Sequence, residues 1–571
     1  MGKGDDRSGA VPRTVYVVGG GVAGVLAAAA IARRSRDRVV ILEQAEALAA
    51  GLTQGNGRSL TVTEGTIAAG LSAEQVAAAL GRSVAAGGYG YPGFRATAAE
   101  RAQMAAFATR SRQRLTDPAA VAARDRALLR FGVTSLHLWR QFAVARPLLA
   151  ARTGLQLHPK LRLYGGDRGL ERAGGEAQAV AEALDAVAPP LKNPCPGGAM
   201  GGSTVSAAIA AQMEPSLAAY LERFAGGISV QPGGAIHGAR LVQELADALV
   251  AEGSVTIQTG ATVRSLRWHR DAITAIEGDW RSRRQVWGSP SDAYVFATGI
   301  DPLLARCGAL AEPLFPLAGT SITLPVSAAI ARLGIPFSRR SWKYDGFGPL
   351  VISSVFLPDD AYFDFLDSHD FRRFRPDDPA LARTGLIDRT WGDRVDPAQF
   401  DPASLDPRRV DRFDPRAVGP AAGRWEIRIG GLKFYPGDRD PADLSHPGSR
   451  WAIATQIQFA RAVFPDLMAQ LIDPALDPAI APPEALAPLQ PWGGSRPVYA
   501  SGMAALGPFC SNGYAIIGTG SWGLTSGLAN ADAIAQWLDG TPTDAITLPG
   551  LARSHWRDYG DRVRPPVAVH P

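Results

Sequence analysis

The sequence predicts an α/β protein in which a Rossmann-like dinucleotide-binding domain is interleaved with an α+β domain built on a mostly antiparallel sheet. Three observations predict this fold class: a strand–glycine turn–helix–strand unit near the start of the chain, strand-rich segments in its middle, and a second glycine-rich turn near its end. At 571 residues the chain is also too long for one simple hydrophobic core, so two domains are expected.

The opening unit covers residues 14–43 and reads as a dinucleotide-binding fingerprint. A valine-rich run predicts a buried strand, Gly19, Gly21 and Gly24 form G-x-G-x-x-G, and an alanine-rich helix leads to a second strand that ends at Glu43. The glycines permit a tight turn, close approach of a pyrophosphate and packing of the helix on the strand. The helix N-terminus would face the phosphates, and the acid would accept a hydrogen bond from a ribose hydroxyl. A glycine turn of some other α/β unit is the alternative.

Composition narrows the classes of protein. Hydrophobic residues make up 46% and charged residues 20% of the chain, as in globular proteins. The formal net charge is +5, but arginine and aspartate are scattered together and no basic stripe carries interleaved aromatics, which argues against a nucleic-acid partner. No apolar run reaches the roughly 18 residues of a membrane span, so we expect membrane contact to be peripheral at most.

The three cysteines, Cys195, Cys307 and Cys510, are odd in number and far apart in the sequence. Their spacing fits neither a disulfide scaffold nor a zinc site. We therefore expect no metal, and a location in the reducing cytoplasm or at the periphery of the inner membrane.

Strand-like segments dominate the middle of the chain. An amphipathic helix is predicted over 239–251, and the segments 254–269 and 272–280 follow it as antiparallel strands. A short apolar strand at 292–299 ends in Thr-Gly, and strands resume at 425–436 after a stretch rich in Pro, Asp and Arg. This order predicts two domains that exchange segments along the chain.

These patterns divide the chain into alternating parts of the two domains. We expect a disordered tail at 1–12, dinucleotide-binding parts at 13–75, 236–312 and 486–545, substrate-domain parts at 76–235 and 313–485, and a second tail at 546–571. An insertion at 357–420 is expected to be a solvated surface loop, with a lid as the alternative.

The second glycine turn lies near the end of the chain. Residues 514–517 predict a short strand, Gly518, Gly520 and Gly523 form the turn, and a long alanine-rich helix starts at about Leu524. A helix N-terminus behind such a turn can stabilise negative charge on a bound group, which is one interpretation. A helix cap whose small residues allow close packing is the other.

Seven segments resemble, in the same order, the FAD-dependent oxidoreductases of the D-amino-acid oxidase type, and especially bacterial D-amino-acid dehydrogenases. They are the opening GGGVAG with Glu43, Met213–Leu217 (E-P-x-L), 233–266, 292–299, 315–326 (P-x-x-G-x-S-x-T-x-P), 492–498 (W-x-G-x-R-P) and the closing flavin turn at 518–527. The resemblance extends from residue 14 to about 540 and implies that FAD is held from both ends of the sequence.

The resemblance also implies which residues hold FAD. The cofactor is expected to be non-covalent, because Cys510 does not match the covalent-flavin motif of sarcosine-oxidase relatives. Val263 matches a valine whose main chain contacts the adenosine in that family. The full expected set is Gly19, Gly21, Val22, Ala23, Gly24, Glu43, Gln44, Val263, Ala297, Thr298, Gly299, Gly518, Gly520, Ser521, Trp522, Gly523, Leu524 and Thr525.

Arg496, in the W-x-G-x-R-P element, matches the arginine that binds the substrate carboxylate in the family. A guanidinium binds a carboxylate with two parallel hydrogen bonds and so orients its α-carbon; a structural arginine is the alternative. Tyr499, Lys433 and His237 complete the expected catalytic set, although a lone histidine is more often structural. The family requires no general base on the protein.

The resemblance implies an enzyme that oxidises the C–N bond of an amino acid or related amine to an imine by hydride transfer to flavin N5. Two alternatives stay open. The long segments 165–205 and 357–420 could form a pocket for a larger substrate of specialised biosynthesis, or the chain is a flavin-binding subunit of a hetero-oligomeric electron-transfer complex. After Arg496 the family's D-G-x-P turn is replaced by VYASGMAALGP, which leaves the substrate open. The electron acceptor (oxygen, a quinone or a protein) and the oligomeric state are open as well.

Overall fold

The computed structural model describes residues 13–63, 90–114, 117–187, 201–300, 302–307, 314–346, 349–359, 423–437, 439–499, 504–542 and 545–546. The tail expected at 1–12, most of the insertion expected at 357–420 and nearly all of the tail expected at 546–571 lie outside these residues.

The described residues form eighteen strands. They are β1 (Thr14–Val18), β2 (Arg38–Leu42), β3 (Ser59–Thr61), β4 (Gln156–Gly165), β5 (Ser203–Thr204), β6 (Gly226–Ala235), β7 (Val255–Gln258), β8 (Ala261–His269), β9 (Ala272–Trp280), β10 (Arg283–Trp287), β11 (Ala293–Phe296), β12 (Phe315–Val326), β13 (Trp342–Asp345), β14 (Pro349–Pro358), β15 (Gly423–Phe434), β16 (Trp492–Val498), β17 (Ala505–Cys510) and β18 (Gly513–Ile517).

The helices of the same part of the chain are α1 (Val22–Arg34), α2 (Ala98–Arg114), α3 (Pro118–Ala145), α4 (Pro147–Arg152), α5 (Gly169–Val187), α6 (Ala207–Met213), α7 (Ala218–Leu221), α8 (Gly238–Ala251), α9 (Leu303–Arg306), α10 (Ala328–Arg332), α11 (Pro447–Val463), α12 (Pro465–Leu471), α13 (Pro483–Leu486) and α14 (Gly523–Leu538).

The first sheet carries the predicted Rossmann-like unit. Its strand order is β17-β18-β11-β1-β2-β7, and all neighbouring strands are parallel except β17 and β18. Val18 lies beside both Phe296 and Leu42, so the carboxyl ends of three strands meet at one edge. The chain continues from β1 to β2 on one side of β1, and β11 lies on the other side. Ligands of open α/β sheets bind at such a switch point. The opening unit, the Thr-Gly strand and the helix predicted at 239–251 are therefore confirmed.

The prediction for 254–269 was wrong in part, because the structure divides this segment between two sheets. Its first part is β7, in which Val255 pairs in parallel with Val39 at the edge of the first sheet. Its second part is β8, which forms an antiparallel three-stranded sheet with β9 and β10. Gly260, with a φ of +67°, makes the turn between the two parts. Both parts alternate apolar and polar side chains, so periodicity alone does not separate them.

The second sheet is mostly antiparallel, as predicted for the α+β domain. It has nine strands in the order β16-β12-β15-β14-β13-β4-β6-β3, with β5 also paired to β6. Among its described strands, β13 and β4 are the one parallel pair. Two strands differ from the expected domain division: β3 falls within 13–75 and β16 within 486–545, yet both pair into this sheet.

Each sheet has its own hydrophobic core. Val17 is fully buried in the first core, and Trp342 and Ile352 are fully buried in the second, on the outer face of the nine-stranded sheet. Burial of such a side chain contributes about 1.5–3 kcal/mol. Because strand side chains alternate between faces, the neighbours Lys343 and Val351 lie on the inner face and line a cavity between the two sheets.

Candidate active site

One large cavity lies between the two sheets. Its volume is about 1970 Å³, roughly twice the upper end of the 300–1,000 Å³ range of ordinary ligand pockets. Its wall has three parts: a fingerprint end with Gly19, Glu43 and Val263, a middle with Gly518 and Arg496, and an outer end with Arg162, Arg172 and Asp345. The cavity therefore has room for a cofactor and a second ligand.

Close packing requires the glycines of the fingerprint. Gly19 has a φ of +113°, and a Cβ atom there would lie 2.4 Å from the carbonyl oxygen of Ala297. A Cβ atom at Gly24 would lie 1.9 Å from the carbonyl oxygen of Gly19, so the first turn of α1 rests directly on the end of β1. Gly24 acts through this contact and does not line the cavity, whereas four of its neighbours do: Gly19, Gly21, Val22 and Ala23.

The N-terminus of α1 presents main-chain N–H groups to the cavity. Gly21 precedes the helix and offers no side-chain cap, and the N–H of Val22 donates to Thr53 Oγ1 at 3.0 Å. The first turn of a helix leaves several N–H groups without partners inside the helix. Together with the positive end of the helix dipole, they suit the pyrophosphate of a dinucleotide.

Glu43 directly follows β2 and is held at the cavity wall by hydrogen bonds. Its Oε2 accepts a hydrogen bond of 2.6 Å from the N–H of Gly20, and its Oε1 accepts one of 2.8 Å from the N–H of Ala45. A carboxylate oxygen accepts more than one hydrogen bond, so this acid can still bind a ribose hydroxyl. Gln44 and Val263 also line the wall of the cavity.

Thr298 gives an independent sign of a bound group. It follows β11, and it lines the cavity with Ala297 and Gly299. Its Oγ1 atom is buried and has no hydrogen-bond partner among the described residues. An unsatisfied buried hydroxyl costs about 1–3 kcal/mol, so we expect a ligand atom to complete its hydrogen bonding.

The second glycine turn lies in the middle of the cavity. Gly518 and Gly520 adopt φ values of +75° and +57°, and the N–H of Gly520 donates to the carbonyl oxygen of Pro497 at 3.2 Å. Helix α14 begins behind this turn without a side-chain cap. The turn and the helix start line the wall through Gly518, Gly520, Ser521, Gly523 and Leu524. The two glycine turns thus line the same cavity.

Trp522 and Thr525, expected to contact FAD, face away from the cavity wall. The indole Nε1 of Trp522 donates to the carbonyl oxygen of Thr61 at 3.1 Å, and the hydroxyl of Thr525 accepts from the N–H of Thr61 at the same distance. These two side chains therefore fasten the start of α14 to β3, and their effect on a cofactor would be indirect.

The segment 51–58 lines the cavity and was missed in the sequence. A Cβ atom at Gly55 would lie 1.8 Å from the indole of Trp492, and the side chain of Asn56 accepts a hydrogen bond of 2.9 Å from the N–H of Arg58. The signal was present in GLTQGNG, but glycine and asparagine alone predict only a turn. Trp492, which packs against Gly55, lies 437 positions further along the chain, so no local sequence pattern reveals this contact.

Arg496 lines the middle of the cavity from β16. Gly319, on the neighbouring strand β12, makes room for its guanidinium, because a Cβ atom there would lie 1.9 Å from Arg496 Nη1. Trp492 precedes Arg496 by four residues on the same face of the strand and also lines the cavity. The W-x-G-x-R-P element therefore presents its tryptophan and its arginine to one space.

Lys433 enters the cavity from the other side of β12. It lies on β15, which pairs with β12 as β16 does, and it lines the wall. Gly431 (φ +138°) and Leu432 (φ +51°) form an irregularity in β15 where the pairing with β12 shifts. Bulges of this kind redirect side chains at binding sites. Two cations, Lys433 and Arg496, thus flank β12 on its cavity side.

His237 and Tyr499 do not line the cavity. His237 caps α8, where its Nδ1 accepts from the N–H of Arg240 at 3.2 Å and its Nε2 lies 2.8 Å from Arg58 Nη2. Burial, and then the positive charge of Arg58, lower the pKa of His237 to about 3. Tyr499 is buried, and its ring closes the space beside Gly518, where a Cβ atom would lie 2.3 Å from the ring. Both residues have structural contacts that explain their presence.

A buried ion pair connects segment 51–58 to the second sheet. Arg58 Nη1 lies 2.7 Å from Glu426 Oε2, and both side chains are at most 5% exposed. Burial alone would raise the pKa of Glu426, but the charge and hydrogen bond of Arg58, together with the hydrogen bond of Arg424 and other neighbours, hold that pKa at about 2. Arg428, next but one on β15, donates to the carbonyl oxygen of Gln54 at 2.8 Å, and burial lowers its pKa to about 9. These contacts fix the lining of the cavity between the domains.

The outer end of the cavity carries a second charge cluster that sequence reasoning missed. Arg162, on β4, donates to Asp345 Oδ2 from Nε and Nη2 at 3.0 and 2.6 Å, and it also donates to Glu176 from Nη1. The hydroxyl of Tyr164 donates to Glu176 as well. The only local signal was the alternation of apolar and polar residues in β4, which predicts a strand and nothing about partners on α5 and β13.

Metal-binding clusters and membrane-spanning helices are both absent from the described part of the chain. No group of three or more His, Cys, Asp or Glu side chains there could hold a metal ion. No described helix combines the length and the apolar character that crossing a bilayer requires.

Comparisons with known proteins agree with this geometry. A family model for FAD-dependent oxidoreductases (DAO) matches residues 14–537. The D-amino acid dehydrogenase of Methylobacterium radiotolerans is 36% identical over 120 residues, which cover 21% of this chain and 27% of that protein. The match thus spans about a quarter of that relative.

Two solved structures share the fold over nearly the whole chain. Glycine oxidase from Geobacillus kaustophilus has a TM-score of 0.51 at 15% identity and covers 94% of this chain and 98% of its own. L-amino acid deaminase from Proteus vulgaris has a TM-score of 0.51 at 13% identity, with 97% and 99% covered. The family match, the glycine-lined wall and the orphan hydroxyl of Thr298 agree: the chain belongs to the DAO family of FAD-dependent oxidoreductases and uses FAD as its cofactor.

Proposed function

We propose that this enzyme oxidises the C–N bond of an amino acid or related amine to an imine, with FAD bound non-covalently. The observation that carries the proposal is the placement of Arg496 in the same cavity as both glycine turns. The chemistry that bound FAD supplies is acceptance, at N5, of the hydride lost by the substrate carbon. The nitrogen gives its proton to solvent, and water hydrolyses the C=N bond to a carbonyl compound and an amine.

In this proposal Arg496 binds the substrate carboxylate. Its fork of N–H donors fits a carboxylate with two parallel hydrogen bonds, and a fixed carboxylate fixes the direction of the bond that breaks. Orientation of this kind lowers a barrier because the reacting atoms meet at short range without a further loss of freedom. Lys433, the second cation beside β12, adds positive charge at the same end of the cavity.

The cofactor would be held mainly by main-chain groups. We assign the pyrophosphate to the start of α1, the adenosine ribose to Glu43, and the flavin end to the turn at 518–524. The uncapped start of α14 lies behind that turn. Its positive dipole end would stabilise negative charge near the flavin end of the cavity.

Anaerobic reduction of the purified yellow protein by a panel of D- and L-amino acids and amines tests the proposal. The partial match to D-amino acid dehydrogenases makes D-amino acids the first members of the panel. We expect at least one of them to bleach the flavin, and later admission of oxygen or a quinone identifies the acceptor. Failure of every amine to reduce the flavin would overturn the proposal.

Substitution of Arg496 tests its role separately. R496L removes the guanidinium and R496K keeps only a point charge, so we expect flavin reduction to slow by more than a hundredfold in the first and less in the second. Flavin content should stay unchanged in both. R264L is the matched control, because Arg264 is 67% exposed on β8, where it pairs with Asp279.

A larger substrate is the second candidate, and the size of the cavity favours it. The space extends well beyond Arg496 to the charge cluster around Arg162. A free amino acid would leave that end unused.

A further inference from the structure

We propose that the outer end of the cavity binds an anionic group, such as a second carboxylate, at the far end of an elongated substrate. This inference rests on the proposed function and specifies its substrate class: an amino acid or amine that carries a negative charge well beyond the reacting carbon. Arg172 is the residue that would bind this group, with Arg168 beside it at the rim.

The distance between the two ends sets the substrate length. Arg496 lies on β16 and Arg162 on β4, and the strand order places five strand intervals between them. Neighbouring strands lie about 4.8 Å apart, so the two backbones are separated by on the order of 20 Å. Even after the arginine side chains reach inward, the gap exceeds the length of a free amino acid. A ligand that contacts both ends must carry an extended linker.

The walls of the outer end suit such a linker. Helices α3 and α5 contribute apolar side chains to the cavity lining, beside charged ones such as Asp125 and Arg126; the apolar ones are Val121, Ala122, Leu129, Ala179 and Val180. Apolar walls favour a chain of methylene groups, at about 0.8 kcal/mol for each group buried.

Whether the site prefers an anionic or a cationic ligand depends on which of its charged side chains already have close partners. Asp345 accepts two hydrogen bonds from Arg162. Glu176 accepts from Arg162, from the hydroxyl of Tyr164 and, at 3.3 Å, from that of Ser229. Both carboxylates therefore already face the positive charge of Arg162, which offsets part of the attraction that they would exert on a cationic ligand.

Arg172 is held more loosely. Its guanidinium lies 3.8 Å from Asp345 Oδ2, beyond hydrogen-bonding distance, and stacks over the ring of Tyr164 at 4.7 Å. Its side chain is 48% exposed, so it can turn to a ligand without breaking a short ion pair. Lys343, on β13, adds a buried positive charge to the same wall. Two carboxylates of α5, Glu171 and Glu182, lie at the exposed rim, where solvent screens them.

Titration of the holoenzyme with simple acids tests the proposal, with the flavin absorbance as the signal. The probes are α,ω-dicarboxylates of four to twelve carbons and monocarboxylates of the same lengths. We expect the dicarboxylates above a certain length to bind at least tenfold more tightly than their monocarboxylate partners, because only they reach both arginines.

Single substitutions distinguish the contributions that the two ends of the cavity make to binding. R172Q should remove most of the advantage of long dicarboxylates and leave monocarboxylates unchanged, whereas R172K should keep part of it. R496L should weaken both classes. R130Q is the control, since Arg130 is exposed on α3 and does not line the cavity.

Two results would overturn the inference. Equal binding of dicarboxylates and monocarboxylates at every length, unaffected by R172Q, would show that the outer end binds no anion. Preference for a probe with a terminal amine, tested in parallel, would show the opposite polarity. In either case a strong effect of R496L together with flavin reduction by an amino acid would leave the proposed function intact.

Discussion

The two sides of the cavity are built in different ways. The cofactor side consists largely of main chain at glycines, and at Gly24 an added methyl group would come within 1.9 Å of a backbone oxygen. The substrate side consists of side chains that alternate along six neighbouring strands, from Arg496 on β16 to Arg162 on β4. Substitution of the glycines on the cofactor side would disturb the packing of the backbone. Side chains on the substrate side can be replaced one at a time while the sheet is retained, which lets one fold serve many substrates.

The largest effect is expected on the cofactor side. G24A places a Cβ atom against the carbonyl oxygen of Gly19 and separates α1 from β1, so we expect the purified variant to contain almost no FAD and to be destabilised by about 3 kcal/mol. The ratio of flavin to protein absorbance measures the first effect and thermal unfolding the second. G174A is the matched control, because a Cβ atom at Gly174 on α5 meets nothing within 4 Å. Normal FAD content in G24A would contradict the packing argument.

The next effect concerns the substrate side alone. G319A pushes against Arg496 Nη1 and should displace the guanidinium, and a misplacement of about 1 Å can slow a reaction by about a hundredfold. We expect slower flavin reduction at unchanged FAD content, measured by stopped-flow absorbance.

G430A controls for this change. Gly430 lines the same cavity on β15, and a Cβ atom there finds its nearest neighbour at an ordinary 3.6 Å. Equal rates in the two variants would show that Arg496 does not depend on the space at Gly319.

The third prediction tests the structural role of His237, whose Nε2 lies 2.8 Å from Arg58 Nη2 behind the cavity wall. The fold holds its pKa at about 3, well below its ordinary 6.5, so its neutral form stabilises the fold above pH 6.5 and this contribution is lost as the pH falls toward 3. H237N keeps a capping side chain but cannot titrate. Between pH 6.5 and 5 we expect the wild type to lose on the order of 2 kcal/mol more stability than the variant.

Urea unfolding at the two pH values measures this difference, and H269N, at an exposed histidine of β8, is the control. Glu426 adds a loss of the same sign below its ordinary range, because its pKa is about 2 in the fold. If the free energy of unfolding changed with pH equally in the wild type and in H237N, His237 would not be the cause of the pH-dependent loss of stability.

The smallest effect is expected at Thr298, on the cofactor side. T298V removes the orphan hydroxyl with little change of shape, and if FAD completes its hydrogen bonding, the affinity for FAD should fall by about tenfold. T298S keeps the hydroxyl and should bind FAD nearly as well. Titration of the apoprotein with FAD, followed by fluorescence, measures both. Unchanged affinity in T298V would show that the hydroxyl does not contact the cofactor.

The sequence predicts the cofactor side far better than the substrate side, and the reason is physical. A pyrophosphate site needs glycines at fixed spacing within one strand–turn–helix unit, so Gly19, Gly21 and Glu43 appear together in a short window. Arg162 and Asp345 meet although 183 residues separate them, because β4 and β13 happen to be neighbours in the sheet. No local pattern contains that pairing.

Resemblance to a family improves the prediction of the substrate side only in part. It contributed to an expected catalytic set of Arg496, Tyr499, Lys433 and His237, of which Arg496 and Lys433 line the cavity and the other two pack elsewhere. It could not indicate that Gly319 clears space for a guanidinium, since the relevant contact joins two strands far apart in the sequence. Nor could periodicity assign β7 to the parallel sheet, because an edge strand has the same alternation in either kind of sheet.

The hydrogen bond from Gly520 to Pro497 has a mechanical consequence. It joins the residue after Arg496 to the second glycine turn, and only 22 residues of chain separate Arg496 from Gly518. Strand β16 is also the outermost strand at its end of the nine-stranded sheet. Because β16 is paired along its length with β12, this hydrogen bond couples the position of the arginine in the nine-stranded sheet to the position of the glycine turn in the other domain.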